Sequence, residues 1–249
     1  MSEEKAYVEG RHPVEEALAS GRTIDKIYIA KGGKSANVKK ILDIAKEKKI
    51  PVSFVDRKKI DEMSESHAHQ GILAKVSAHS YLELDDLLDN IRESETPAFL
   101  ILLDEIQDPH NLGSVLRTAD ASGVDAVIIP RRRSATLTPI VAKTSAGAVE
   151  YVPVCKVVNL VKTIEKLKEN GVWVTGADMN GEKLYYDEDY KGNTALVIGN
   201  EGQGISRLVR EKCDFLVRIP MEGKVNSLNA SVSASILMYE VRRQRDSGS

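Results

Sequence analysis

Three stretches in the second half of this chain combine glycines with polar side chains in patterns that ordinary loops seldom need. The first is DEIQDPHNLGSVLRTADASG, residues 104–123. Leu112, Val115, Leu116 and Ala119 recur there at helical spacing, and Arg117 falls off that apolar face. Helical side chains lean toward the N-terminus, so Arg117 points back over the preceding turn, where Gly113 leaves space. Asn111 stands where the helix should begin and is a candidate cap. An Arg, an Asn and unpaired backbone N–H groups at one helix start suit a phosphate. A plain capped helix with a solvated Arg accounts for the same residues.

The second stretch, IGNEGQGIS, places Gly199, Gly202 and Gly204 within six positions of one another after a strand. Such spacing lets backbone approach a ligand closely, yet it is neither a dinucleotide GxGxxG nor a P-loop. Glu201 would repel an anion and better suits a cationic or hydroxyl-bearing ligand. The third, RIPMEGKVNSLNASVSASILMYEVRRQR, leads through Ser227 and Asn229 into a helix of small residues followed by Val232, Ile236, Leu237, Met238, Tyr239 and Val241. A helix apolar nearly all round is buried, either against its own domain or against a second subunit. Lesser candidates have bland readings. His67 and His69 form a lone HxH, Arg131–Arg133 a basic loop cluster, and Arg242, Arg243 and Arg245 can complement a helix C-terminus.

The elements that must position these residues alternate between strand and helix. Strands are expected at 99–103, 126–129, 151–154, 172–175, 195–198 and 215–219. Helices are expected at 112–121 (stopped by Gly123), after Thr138–Pro139, at 160–169, near 207–212 and at 228–243. Apolar strands alternating with helices predict an α/β domain with a mostly parallel sheet, whose ligands sit beyond the strands' carboxyl ends. Residues 1–80 read as a smaller α/β domain. Its helices are 13–19 (closed by Gly21), one carrying Val38, Ile41, Leu42 and Ala45, and 58–63; its strands are 26–30, 52–55 and 71–76. Between the two lies an acidic joint, residues 81–96, with six acids against one Arg and a short helix at 84–91. The domains are therefore expected at 1–80, 81–96 and 97–249.

Composition narrows the function. The 249 residues are 42% hydrophobic and 29% charged, enough for folded cores. No apolar run approaches about 18 residues, and the acidic start is unlike a signal peptide, so a cytosolic protein is expected. Two cysteines, Cys155 and Cys213, form no metal set. The formal net charge of −2 gives no overall field for a polyanion. Nucleic acid would need local clusters such as Arg131–Arg133 or, in the N-terminal part, Lys39, Lys40, Lys46, Lys48, Lys49, Arg57, Lys58 and Lys59.

The strings DPHNLGSVLRTADASG, KTSAGAVEYVPV, VIGNEGQGIS and IPMEGKVNSLNASVSASILMYE, in that order, resemble the motifs of the SpoU/TrmH family of RNA 2′-O-ribose methyltransferases, in the SPOUT superfamily. The likeness covers residues 97–245. YVEGRHPVEEAL through HQGILAKV resembles the accessory RNA-binding domain of the subgroup that modifies 23S ribosomal RNA guanosine. The resemblance implies a trefoil-knotted catalytic domain, S-adenosylmethionine as cofactor, a homodimer, RNA as partner, and neither metal nor membrane. It implies catalytic roles for Asn111, Arg117, Glu201, Ser227 and Asn229, and cofactor contacts from Gly176, Gly199, Ile219, Met221 and Leu228. It also makes Arg117 the general base. A guanidinium is effectively always protonated, so the alternative stands that a substrate phosphate takes the proton while Arg117 stabilises charge. Transfer RNA as substrate, a non-catalytic RNA-binding member of the same fold, and a nucleotide-dependent oxidoreductase are the competing functions. The last lacks GxGxxG after its first strand.

Overall fold

A computed structural model describes residues 7–19, 23–31, 36–64, 69–76, 80–224 and 227–247. Gly21 and His67 lie outside the described residues. The chain forms two compact units, Met1–Ser80 with Thr136–Pro139, and Tyr81–Ala135 with Ile140–Ser249.

The first unit holds β1 (Tyr7–Glu9), α1 (Arg11–Ala19), β2 (Ile24–Ala30), α2 (Ala36–Glu47), β3 (Val52–Val55), α3 (Arg57–Met63) and β4 (Ile72–Val76). Its sheet runs β1-β4-β2-β3, with β2 and β3 parallel across α2 and β4 antiparallel to both its neighbours. Val38, Ile41 and Ala45 are buried with Val14, Leu18, Ile27, Ile29 and Ile72, so the helical spacing of α2 reads as a core face. β1 escaped the sequence reading because three residues carry no period.

The second unit begins with α4 (Leu84–Glu93), within the acidic joint. Its Leu87, Leu88 and Ile91 are buried in the same cluster as Leu100 and Leu102, so this stretch contributes to the core. There follow β5 (Phe99–Asp104), α5 (Pro109–Ser122), β6 (Ala126–Pro130), α6 (Pro139–Thr144), β7 (Val154–Val157), α7 (Leu160–Glu169), β8 (Trp173–Ala177), β9 (Lys183–Leu184), β10 (Thr194–Gly199), α8 (Arg207–Arg210), β11 (Phe215–Arg218) and α9 (Ala230–Asp246). The seven strands are all parallel, in the order β7-β6-β5-β10-β8-β11-β9. Both faces of β5 and β10 are buried, which explains their unbroken apolar runs. Strand β10 lies between β5 and β8, two strands formed earlier in the chain, so the strand order reverses there. The carboxyl ends of β5, β10, β8 and β11 form the edge at which a ligand is expected.

One expected strand is displaced. Of residues 151–154 only Val154 is in a strand, the first residue of β7; Ala148–Glu150 form a 3-10 turn, and Tyr151 is 77% exposed. The amides of Tyr151 and Val152 go back to the carbonyl of Ala148, and Pro153 has no amide to give, so pairing with β6 starts at Val154. The two thiols are sequestered: burial pushes both Cys155 and Cys213 up to about 12, so neither is poised as a nucleophile. Among the described residues no helix is long and apolar enough to cross a membrane.

Candidate active site at the carboxyl edge of the parallel sheet

Helix α5 starts one turn earlier than its apolar pattern suggests. Asp108 is its cap, accepting the amide of His110 at 2.9 Å, and Pro109 occupies the first turn. Asn111 is therefore not the cap. It is a buried residue inside the first turn, with its side chain free to work elsewhere. The signal for Asp108 was present in the Asp-Pro pair, but Asn111 drew the cap assignment because it precedes the apolar residues directly.

Asn229 caps α9. Its Oδ1 accepts the amides of Ser231 at 2.9 Å and Val232 at 3.4 Å and the hydroxyl of Ser231 at 2.6 Å. Backbone amides can only donate, so this end of Asn229 must be the oxygen and the other end the nitrogen. Its Nδ2 then donates to Asn111 Oδ1 at 2.9 Å and to Glu201 Oε1 at 3.3 Å. With its oxygen so occupied, Asn111 presents Nδ2 to Glu201 Oε1 at 2.5 Å. The amide of Ala230 donates to the same Oε1 at 3.3 Å. Three donors from α5, the α9 cap and the α9 backbone thus meet on one carboxylate oxygen carried by the loop after β10. Glu201 Oε2 has no partner among the described residues.

Two other expected residues stand apart. Ser227 and Arg117 are exposed and make no hydrogen bond among the described residues. Arg117 follows Asn111 by six positions, about 120° round an α-helix, so the two cannot converge on one point through α5 alone. The space at Gly113 has a different cause from the one expected. A Cβ there would lie 2.6 Å from Thr144 Cβ, so α6, not the Arg117 side chain, requires the glycine. The small residues of α9 likewise face α5: Thr118 and Ser235 hydroxyls meet at 3.0 Å.

The expected cofactor residues gather on the same edge. Gly176, Gly199 and Ile219 stand at the carboxyl ends of adjacent strands β8 and β10 and just after β11. Pairing of β8 with β10 stops at Gly176↔Val197, short of Gly199. Ile219 and Leu228 are half-buried and Met221 is exposed. Gly199 is demanded by the loop itself, since its Cβ would fall 2.1 Å from the carbonyl carbon of Gly204. At Gly176 that space is filled by Ile205, Cys213 and Leu216, all within 3.0 Å.

The basic clusters sort by partner. Arg133 pairs with Glu105 at 2.8 Å, leaving Arg132 exposed. That Glu105 hydrogen bond raises the Arg133 pKa further. Lys40 pairs with Glu15, and Lys48 donates to the carbonyl of Leu18, whereas Lys39, Lys46, Lys49, Arg57, Lys58 and Lys59 are exposed. In the tail, Arg242 pairs with Asp246 and Arg243 with Glu240, and Arg245 donates to the carbonyls of Pro97, Ala98, Tyr190 and Gly192. These arginines therefore do more than complement a helix end. Buried His69 donates from Nε2 to Asp61 and accepts the Gly71 amide at Nδ1, so it is a satisfied histidine within its unit.

Comparison with known proteins now bears on this geometry. Residues 98–239 match the SpoU rRNA Methylase family, and residues 7–82 match the RNA 2′-O ribose methyltransferase substrate binding family. A Staphylococcus haemolyticus protein named a TrmH family tRNA/rRNA methyltransferase is 50% identical over 242 residues, 97% of each chain. The Bacillus subtilis protein YacO, of the same family name, is 47% identical over 246 residues, 99% of this chain and 98% of its own. Among solved structures, the SpoU methyltransferase AviRb from Streptomyces viridochromogenes, in complex with the cofactor AdoMet, is 26% identical with a TM-score of 0.61, covering 98% of this chain and 91% of its own. The A. aeolicus TrmH/SpoU tRNA modifying enzyme is 28% identical with a TM-score of 0.56, but covers 66% of this chain and 85% of its own.

The packing at Gly113 yields a check. Gly113→Ala should destabilise the fold by about 1–3 kcal/mol through overpacking against Thr144. Urea unfolding measures this, and an unchanged midpoint would show that α6 yields freely.

Proposed function

The chain belongs to the SpoU/TrmH family of methyltransferases, with its SPOUT-type α/β fold, and from that premise we propose that it methylates a ribose 2′-OH of RNA with S-adenosylmethionine. The preferred target is a guanosine of large-subunit ribosomal RNA, and the working form is a cytosolic homodimer. The observation that carries the reading is the hub at Glu201, which joins residues from three separated motifs at the sheet edge where a ligand is expected. The match of residues 7–82 to the RNA 2′-O ribose methyltransferase substrate binding family supports RNA as the substrate. Transfer RNA is the second reading; the relatives' names carry it beside ribosomal RNA, and the tRNA modifying enzyme of A. aeolicus favours it. That enzyme covers only 66% of this chain, and the ribosomal reading gives the first unit a task.

The residues present fit the cofactor. Ile219, Leu228 and Met221 offer apolar surface for a purine face, and the register of β10 with β8 ends at Val197↔Gly176, before Gly199. When bound, the cofactor supplies an activated methyl on a sulfonium whose leaving group departs neutral and needs no acid. The protein must then align the ribose oxygen, and such alignment is worth several kcal/mol of barrier. Asn111 and Asn229 cannot do this directly, because their amides are committed to holding Glu201 and α9. Their role is to fix the loop. Glu201 Oε2 accepts a hydroxyl or amine of the ligand. The Arg117 guanidinium binds the RNA phosphate and stabilises charge developing on the target oxygen, whose proton passes to a phosphate oxygen. Ser227, exposed beside the α9 cap, contacts the same phosphate.

The homodimer rests on α9. Val232 and Tyr239 are 46% and 53% exposed, and with half-buried Ile236 they line one face at helical spacing. The expected all-round burial of this helix is not met within one chain, and a second copy supplies the missing cover.

Arg117→Ala should lower methyl transfer by about a hundredfold or more, the usual cost of removing one charge-stabilising donor, while calorimetry shows unchanged cofactor affinity. Near-normal turnover would refute the assigned role. Arg132→Ala should flatten the salt dependence of RNA binding by about one counterion. Arg133→Ala should do so less, since Glu105 already neutralises it; equal effects in a filter-binding salt series would show that the pair opens on RNA.

A further inference from the structure

We propose that Asp104 is a positioning residue that pins the loop carrying Glu201, a role resting on the methyltransferase reading above. Asp104 is the last residue of β5 and the register partner of Gly199, the last residue of β10. It is a carboxylate only 5% exposed, and its Oδ2 accepts the amide of Ser206 at 2.7 Å. That amide is its one hydrogen-bond partner among the described residues. Burying a carboxylate for a single bond is costly unless the bond does something an apolar residue cannot.

The loop's path shows what it does. From Gly199 the chain turns through Asn200, whose Oδ1 takes the amides of Gly202 and Gln203 and whose carbonyl takes the amide of Gly204. Gly204 has a φ of 67°, which returns the chain across Gly199, where a Cβ would meet backbone at 2.1–2.3 Å. Ile205 then enters the core and Ser206 docks on Asp104. Residues 199–206 are thus a ring stiffened from within by Asn200. Two ties return it to the sheet, one apolar and non-directional and one directional. The directional tie is Asp104. Glu201 rides on the ring, and its Oε1 must arrive within hydrogen-bond reach of Asn111, Asn229 and the Ala230 amide together. A small tilt of the ring would break that meeting before it disturbed the core.

The test compares three variants at temperatures well below their melting. Asp104→Asn keeps an acceptor oxygen for the Ser206 amide. Asp104→Ala removes it. Ser206→Pro removes the donor instead, at a φ of −60° that proline already prefers. Hydrogen exchange of peptides spanning 199–206 and calorimetric titration of S-adenosylmethionine are read alongside kcat and KM. For Asp104→Ala we expect faster exchange confined to that segment and cofactor affinity weaker by about tenfold, the scale of one hydrogen bond. RNA affinity should be unchanged. Asp104→Asn should stay near wild type, Ser206→Pro should reproduce Asp104→Ala, and the double variant should add nothing further. Unchanged exchange and affinity in Asp104→Ala would overturn the proposal, as would an Asp104→Asn defect equal to that of Asp104→Ala. If Asp104→Ala does not fold, Ser206→Pro with normal exchange overturns it and with fast local exchange upholds it. Failure of the wild type to bind the cofactor would sink the methyltransferase reading instead, leaving the exchange result to judge the tie.

Discussion

One carboxylate oxygen organises this site. Glu201 Oε1 accepts from two side-chain amides and one backbone amide, and those donors come from segments 90 and 28 positions away in sequence. The arrangement has a direction. The backbone amides of Ser231 and Val232 fix which end of Asn229 is oxygen, Asn229 fixes Asn111, and Asn111 Nδ2 then requires an acceptor. Glu201 Oε1 meets that requirement, taking all three donors on one oxygen. Specificity of assembly is therefore written into hydrogen-bond polarity as well as shape.

This hub divides labour among residues that a motif reading groups together. Asn111 and Asn229 spend their amides on structure, so their effect on chemistry is exerted through Glu201. Arg117 and Ser227 are exposed and make no hydrogen bond among the described residues, so their polar groups are not committed to this hub. The parallel sheet makes such a division possible. Its central strands are buried on both faces, so the loops at their carboxyl ends are held by a rigid frame and can be shaped by a few polar bonds.

Much of the frame was legible in the sequence because its periods are strong. FLILL at 99–103 and the Leu112, Val115, Leu116, Ala119 series read correctly, and so did residues 160–169 with Gly171 behind them. The failures have local causes. The strand expected at 151–154 begins only at Val154, because the amides of Tyr151 and Val152 go to a 3-10 turn and Pro153 has none to give. The cap of α5 went to Asp108, because the residue nearest the apolar series is not always the residue nearest the first free amide. The Arg133–Glu105 pair and the role of Gly113 depend on neighbours 28 and 31 positions away, and no spacing rule reaches that far. The candidate residues were visible as types. Which of them touch was not, since contact between Asn111, Glu201 and Asn229 arises only when β10 is inserted between β5 and β8.

The most direct measurement is nucleoside analysis by mass spectrometry of ribosomal and transfer RNA after incubation with the purified protein and isotopically labelled S-adenosylmethionine. The account predicts label in a 2′-O-methylated nucleoside, at a linkage that resists alkaline cleavage. Label on a base alone, or RNA that stays unlabelled while the protein binds the cofactor, would contradict it.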